Sequence, residues 1–162
     1  MKSLKWRIFV RVSTVLIVLF LIMQALDFTN FRNLAINSAK DKALTIALTV
    51  KSSLTSLMKL GQIKSRDIFL NSLENNKNVE SIKIIRGLPV IKQFGEGRAY
   101  EKPADEIEKT VLVTGEQLDK LEESLENVKY KIVIPYKAEN QCLQCHKAKV
   151  GDVLGAISIT MD

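Results

Sequence analysis

The sequence holds few of the residues that crosslink or rigidify a chain. Its 162 residues include two cysteines, one histidine, three prolines, seven glycines and one tryptophan. Two thiols exclude a disulfide-dense secreted scaffold. One imidazole excludes any metal or catalytic site that needs two from a single chain. Acid is missing altogether ahead of Asp27, where Lys2, Lys5, Arg7 and Arg11 all lie. Without those four the formal charge falls from +6 to +2, so the basicity belongs to the N-terminus and no nucleic-acid partner is expected. What remains is ordinary globular material. At 46% hydrophobic and 26% charged, the composition opposes disorder, and the length fits one domain with a buried core.

Val12 to Leu26 is a 15-residue run with no charge, shorter than the ~20 apolar residues of an ideal spanning helix. Trp6, Ile8, Phe9 and Val10 extend it backwards if Arg11 snorkels, and Phe28 extends it forwards. A cleaved signal peptide is the rival reading, but no small-x-small cleavage site follows Leu26. Residues 1–28 are therefore expected to be a basic start and a single-pass inner-membrane anchor. Positive charge ahead of the apolar run places the N-terminus in the cytoplasm and the remainder in the periplasm.

Beyond the anchor, Phe31 to Leu60 contains no proline or glycine. Leu44, Ala47, Leu48, Lys51, Leu54, Leu57 and Met58 recur at helical steps, so residues 29–60 are expected to form a helical stalk ended by Gly61. A second short helix is expected over Gln62–Leu73, with Ile63, Phe69, Leu70 and Leu73 inward, and a loop at Asn75–Asn78. The pattern then turns extended. Ser81–Arg86 and Val90–Phe94 read as strands around Gly87-Leu88-Pro89, and Gly95-Glu96-Gly97 ends the second. Pro103 is expected to open a helix with Asp105 and Glu106 in its first turn, Ile107, Val111 and Leu112 inward, and Gly115 past its end. Leu118, Leu121 and Leu125 are spaced as in a helix, yet the segment precedes a clear strand. That strand, Lys129–Tyr136, sets Tyr130, Ile132 and Ile134 against Lys129, Lys131 and Val133 and is expected to stop at Pro135. Val153–Thr160 is the last, with Gly155 marking a close backbone approach. The sum is an α+β unit over 61–162 with about five strands and an inserted helix.

Between the last two strands stands Cys142-Leu143-Gln144-Cys145-His146. Two thiols three residues apart followed at once by an imidazole is the c-type haem attachment arrangement. Each thiol adds to one vinyl group of a single haem edge, and the turn brings His146 to the iron. A zinc site needs four ligands, which two Cys and one His do not supply. A redox dithiol needs a thioredoxin-like βαβ context, and none precedes it. A plain disulfide leaves His146 without a role. One covalent haem c is thus expected on Cys142 and Cys145, with His146 as an axial ligand. No second histidine exists for the other axial position. Met58 and Met161 are the methionines outside the anchor, and Met161 is expected to point away from the loop. Met58 reads equally as a distal ligand and as a core residue on the apolar face of its helix; an open or water-filled position is the third option. Only 16 residues follow His146, which excludes the small soluble carriers that bear the motif near the N-terminus.

The order of parts resembles the PAS-like periplasmic c-type haem sensor domains at the front of bacterial chemoreceptors, sensor kinases and diguanylate cyclases. The marks are the membrane helix and stalk, a hairpin at Ile84-Ile85-Arg86-Gly87-Leu88-Pro89 and the Pro103–Gly115 helix. Most specific are Ile134-Pro135-Tyr136-Lys137-Ala138-Glu139, then Cys142–His146, then Gly151-Asp152-Val153-Leu154-Gly155-Ala156-Ile157-Ser158-Ile159. The resemblance implies strand at Gln117–Asn127, thioethers at Cys142 and Cys145, axial His146 and, in some members, a methionine from the stalk helix. It also implies a PAS-like antiparallel sheet with flanking helices and no catalytic activity. Family receptors continue through a second membrane helix to a signalling domain. The sequence stops at Asp162, which leaves open a receptor fragment and a stand-alone anchored haem protein. The expected role is a sensor of redox state or of a small gas, relayed through the stalk to a downstream signalling domain or partner. A parallel homodimer is expected from the stalk's spacing. Arg86 is a candidate for a haem propionate, against the plainer reading of a solvated strand-end charge. The alternatives are an anchored monohaem electron-transfer cytochrome and a non-haem interaction module on a stalk.

Overall fold

A computed structural model of the chain describes residues 4–75, 78–124 and 127–162. The first compact unit reaches Ser38 and the second runs Ala39–Asp162. Helix α1 (Leu4–Lys59) takes up all of the described first unit and the start of the second. It is the one helix among the described residues long and apolar enough to cross a membrane. Its large apolar side chains between Val12 and Leu26 are exposed, as a lipid-facing surface would be. Thr14 turns its hydroxyl back to donate to Val10 O at 2.8 Å, which keeps a polar group satisfied within the apolar stretch.

In the second unit α1 shows one buried stripe, Ala43, Ala47, Val50 and Leu54, with Met58 half-buried one turn on. Leu48 falls off that stripe and is 52% exposed, contrary to its place in the expected face. Gly61 breaks the chain with φ +67°, a left-handed conformation open to glycine. A 3-10 turn (Ile63–Ser65) leads into α2 (Arg66–Glu74), whose Leu70 is buried and whose Phe69 and Leu73 pack on the same core.

Four strands, β1 (Val79–Arg86), β2 (Leu118–Glu123), β3 (Val128–Lys137) and β4 (Val153–Met161), form one antiparallel sheet in the order β1-β4-β3-β2. The fold class is α+β, with four strands among the described residues rather than five. The missing strand is Val90–Phe94, which is helix α3 (Leu88–Phe94). Gly87 takes an extended N-cap conformation, Pro89 pre-sets the first turn, and Gly95 at φ +85° closes the last. The expected hairpin at Ile84–Pro89 is therefore a strand end followed by a helix start. The remaining loop residues Asn76 and Lys77, and Leu125, lie outside the described residues.

β4 is buried on both faces, because helices cover both sides of the sheet. One face carries the α1 stripe and α2; the other carries α4 (Glu106–Thr114), packed on Ile85, Val133 and Ala156 through Val111. That second layer explains why Val133, expected on the outward face, is fully buried. β3 continues through Pro135 to Lys137. Its pairing with β2 ends at Val133, so the proline's missing N–H deprives no neighbour. Helix α4 starts at Glu106, later than Pro103, because Asp105 is its N-cap and accepts from the Glu108 amide at 3.0 Å.

Glu108 is 0% exposed under α4. It accepts from the Ala104 amide at 2.7 Å, Lys131 Nζ at 2.6 Å and Ser158 Oγ at 2.9 Å. Burial by itself would raise its pKa; these donors outweigh burial and hold it below the ordinary carboxylate value. A carboxylate depressed by folding stabilises fully above its unfolded pKa, about 4.5, and the contribution is lost as the pH falls through the lower folded value. Glu108→Ala leaves Lys131 with Asp105, 2.6 Å away, and removes the acceptor of the Ala104 amide and the Ser158 hydroxyl; a cost of about 1–3 kcal/mol is expected at neutral pH. Denaturant unfolding from pH 7 to pH 3 checks this: the variant should show a shallower acid slope as well as the lower plateau.

Candidate functional site

The five-residue motif lies in the loop between β3 and β4, where a short 3-10 turn (Asn140–Gln144) winds around Cys142. The Cys142 carbonyl accepts from the Cys145 amide at 3.2 Å and from the His146 amide at 2.9 Å. At its base the loop is closed by Ala138 N–H on Asp152 O, 2.8 Å, and Gly151 N–H on Ala138 O, 2.9 Å. The thiols are free, Cys142 half-buried against the main core and Cys145 exposed. The backbone amide of Glu139 donates to Cys142 Sγ at 3.4 Å.

α1 grips the front of this loop. Lys51 Nζ lies 3.4 Å from Glu139 Oε1 and 5.6 Å from the Tyr136 ring centroid, and Thr55 Oγ1 is hydrogen-bonded to the Tyr136 hydroxyl. Hydrogen bonds from Gln141 and then Lys51 hold the Glu139 carboxyl below its ordinary pKa.

Against the loop lies a cavity of about 380 Å³, within the roughly 300–1,000 Å³ of pockets that take organic ligands. Its walls are mostly apolar, including Leu54, Ile84, Val90 and Leu154. Met58, Arg86, Cys145 and His146 all line it; Cys142 and Met161 do not. Met161 is a core residue of β4, in register with Tyr130. Gly155 lies at the cavity wall in register with both Arg86 and Tyr136, and a Cβ there would collide with the Ile85 carbonyl.

His146 presents its ring edge-on to Phe94, with centroids 5.5 Å apart and planes at 83°. Burial pushes its pKa below the ordinary histidine value, which keeps the imidazole neutral and able to ligate at pH 7. Its Nδ1 is buried with no hydrogen-bond partner. A neutral, under-satisfied imidazole on an apolar cavity wall beside an exposed thiol fits a covalently held haem. Among the described residues no three His, Cys, Asp or Glu side chains converge as a metal cage.

Arg86 is not a solvated strand-end charge. It pairs with Glu101, 3% exposed, and donates to Gly95 O at 3.1 Å; Arg66 pairs with the other oxygen of the same carboxylate. Arg66, Glu101, Gln93, Phe94 and Tyr136 escaped the sequence reading. For Gln93 and Phe94 a signal existed, since Gly87-x-Pro89 and Gly95 bracket one short helix; the pairing of Arg66 and Arg86 on Glu101 left none. No family model and no curated protein matches the sequence.

Glu101→Ala takes away the carboxylate that Arg86 pairs with and leaves Arg66 with Asp67 at 3.8 Å. A loss of about 3 kcal/mol is expected in denaturant unfolding. A loss below about 1 kcal/mol would mean that water replaces the carboxylate.

Proposed function

We propose that the chain is a membrane-anchored c-type haem sensor of the PAS-like kind, facing the periplasm and responding to redox state or a small gas. What carries the reading is one cavity lined by Met58, Arg86, Cys145 and His146, side chains whose chemistry suits a haem. The α+β sheet with helices on both faces and the long apolar helix α1 support it coarsely.

Cys142 and Cys145 would hold the group through thioethers, and His146 would give it a neutral imidazole. A haem bound there would supply a redox-active iron able to exchange a ligand. Met58 offers its thioether from the end of α1, next to the break at Gly61. Arg86, joined by Arg66, offers cationic partners for propionates, with Glu101 holding both in place. Binding and release of Met58 would favour different positions of the last turn of α1, and that difference in affinity is what a relay along the helix requires. A parallel pair of α1 helices is the dimer through which the relay would pass.

The test is the full chain matured where haem-attachment enzymes operate. An alkaline pyridine spectrum characteristic of thioether-linked haem is expected, together with a mass increase of one haem and no thiol open to alkylation. Carbon monoxide is expected to change the reduced spectrum, and Met58→Ala to change the spectrum of at least one oxidation state. Colourless protein overturns the proposal. A coloured protein that ignores carbon monoxide and keeps the same ligation in both oxidation states is an electron carrier.

A further inference from the structure

We propose that Gln93 is a positioning residue that sets the orientation of His146. The inference rests on the haem reading above and adds a residue of α3 to it. The Gln93 side chain makes two hydrogen bonds to the motif loop, one on each side of the histidine: Nε2 donates to Cys145 O at 2.8 Å, and the Lys147 amide donates to Oε1 at 2.7 Å. One planar amide thus bridges the backbone before and after His146, over 50 residues away in sequence. The next residue, Phe94, meets the imidazole edge-on. Both ends of α3 are fixed independently of the loop. The Gly87 amide donates to Leu154 O at 2.8 Å, and the Gly95 carbonyl accepts from Arg86. The clamp is therefore mounted on the sheet, while the loop it holds has an exposed Cys145 and Lys147.

The imidazole has no such fixing of its own. Its Nδ1 lacks a partner, so the hydrogen bond by which a ligating histidine is ordinarily oriented is missing. Backbone restraint from Gln93 and ring contact from Phe94 take over that task. Both act through His146.

Gln93→Met keeps length and shape and removes both bonds, and Gln93→Glu keeps an acceptor for Lys147 but loses the donor to Cys145 O. Two measurements on the full chain decide. In protein without haem, the Lys147 amide is expected to exchange with solvent about tenfold faster in Gln93→Met and near the parent rate in Gln93→Glu. In haem-loaded ferric protein with cyanide added, so that the iron is six-coordinate whatever the distal side chain, electron paramagnetic resonance reads the imidazole plane. One set of g values is expected for the parent, and a shifted or second set for Gln93→Met at unchanged haem content. Unchanged Lys147 exchange overturns the inference, because the clamp then does not exist. Faster exchange with parent g values overturns it as well, because the clamp then does not orient the ring. A parent chain that takes up no haem sinks the functional proposal instead, a result neither variant can produce.

Discussion

The close antiparallel contact of β1 with β4 at its glycines is the constraint from which the cavity follows. Gly155 admits the Ile85 carbonyl, and a Cβ at Gly87 would collide with the Val153 carbonyl. With side chains absent at both positions, the Gly87 amide reaches Leu154 O and α3 begins directly off the sheet. That start directs Gln93 and Phe94 to the motif loop, and the register sets Arg86 and Tyr136 on either side of Gly155. A larger residue at either glycine would separate the strands and dismantle the wall that His146 faces.

Two buried carboxylates divide the polar work of the domain. Glu108 ties α4 to the sheet through Lys131 and Ser158, and every one of its partners belongs to that layer. Glu101 holds two guanidiniums at a cavity wall. The first is a closed network that replaces hydration with protein donors, as a buried charge must. The second lies beside an apolar space, with Asp67 3.8 Å from Arg66 as a further carboxylate.

Much of this was readable in the residues. The 3-4 spacing along Leu44–Met58 marked a helix, and the alternation of Lys129–Tyr136 marked a strand, because each period repeats over several turns or pleats. The motif at Cys142–His146 stands out because its residues are adjacent in the sequence. The helix at Leu88–Phe94 was marked only at its ends, by Pro89 and Gly95: between them Val90, Ile91 and Phe94 favour strand by composition, and seven residues are too few to show a period. Nor could alternation reveal that Val133 lies under α4, since a sheet covered on both sides loses its polar face. Ion pairs such as Arg86 with Glu101 depend on tertiary placement alone.

The register of β1 with β4 also fixes how the domain would respond to load. Val79 opposes Met161, and the Asp162 amide donates to Asn78 O at 3.3 Å, so the start of one strand and the finish of the other share an end of the sheet. Tension applied at those two points opens an antiparallel ladder rung by rung rather than shearing all rungs together. The domain is mechanically compliant at that end, and its opposite end, with Arg86 beside Gly155, would be the last to part.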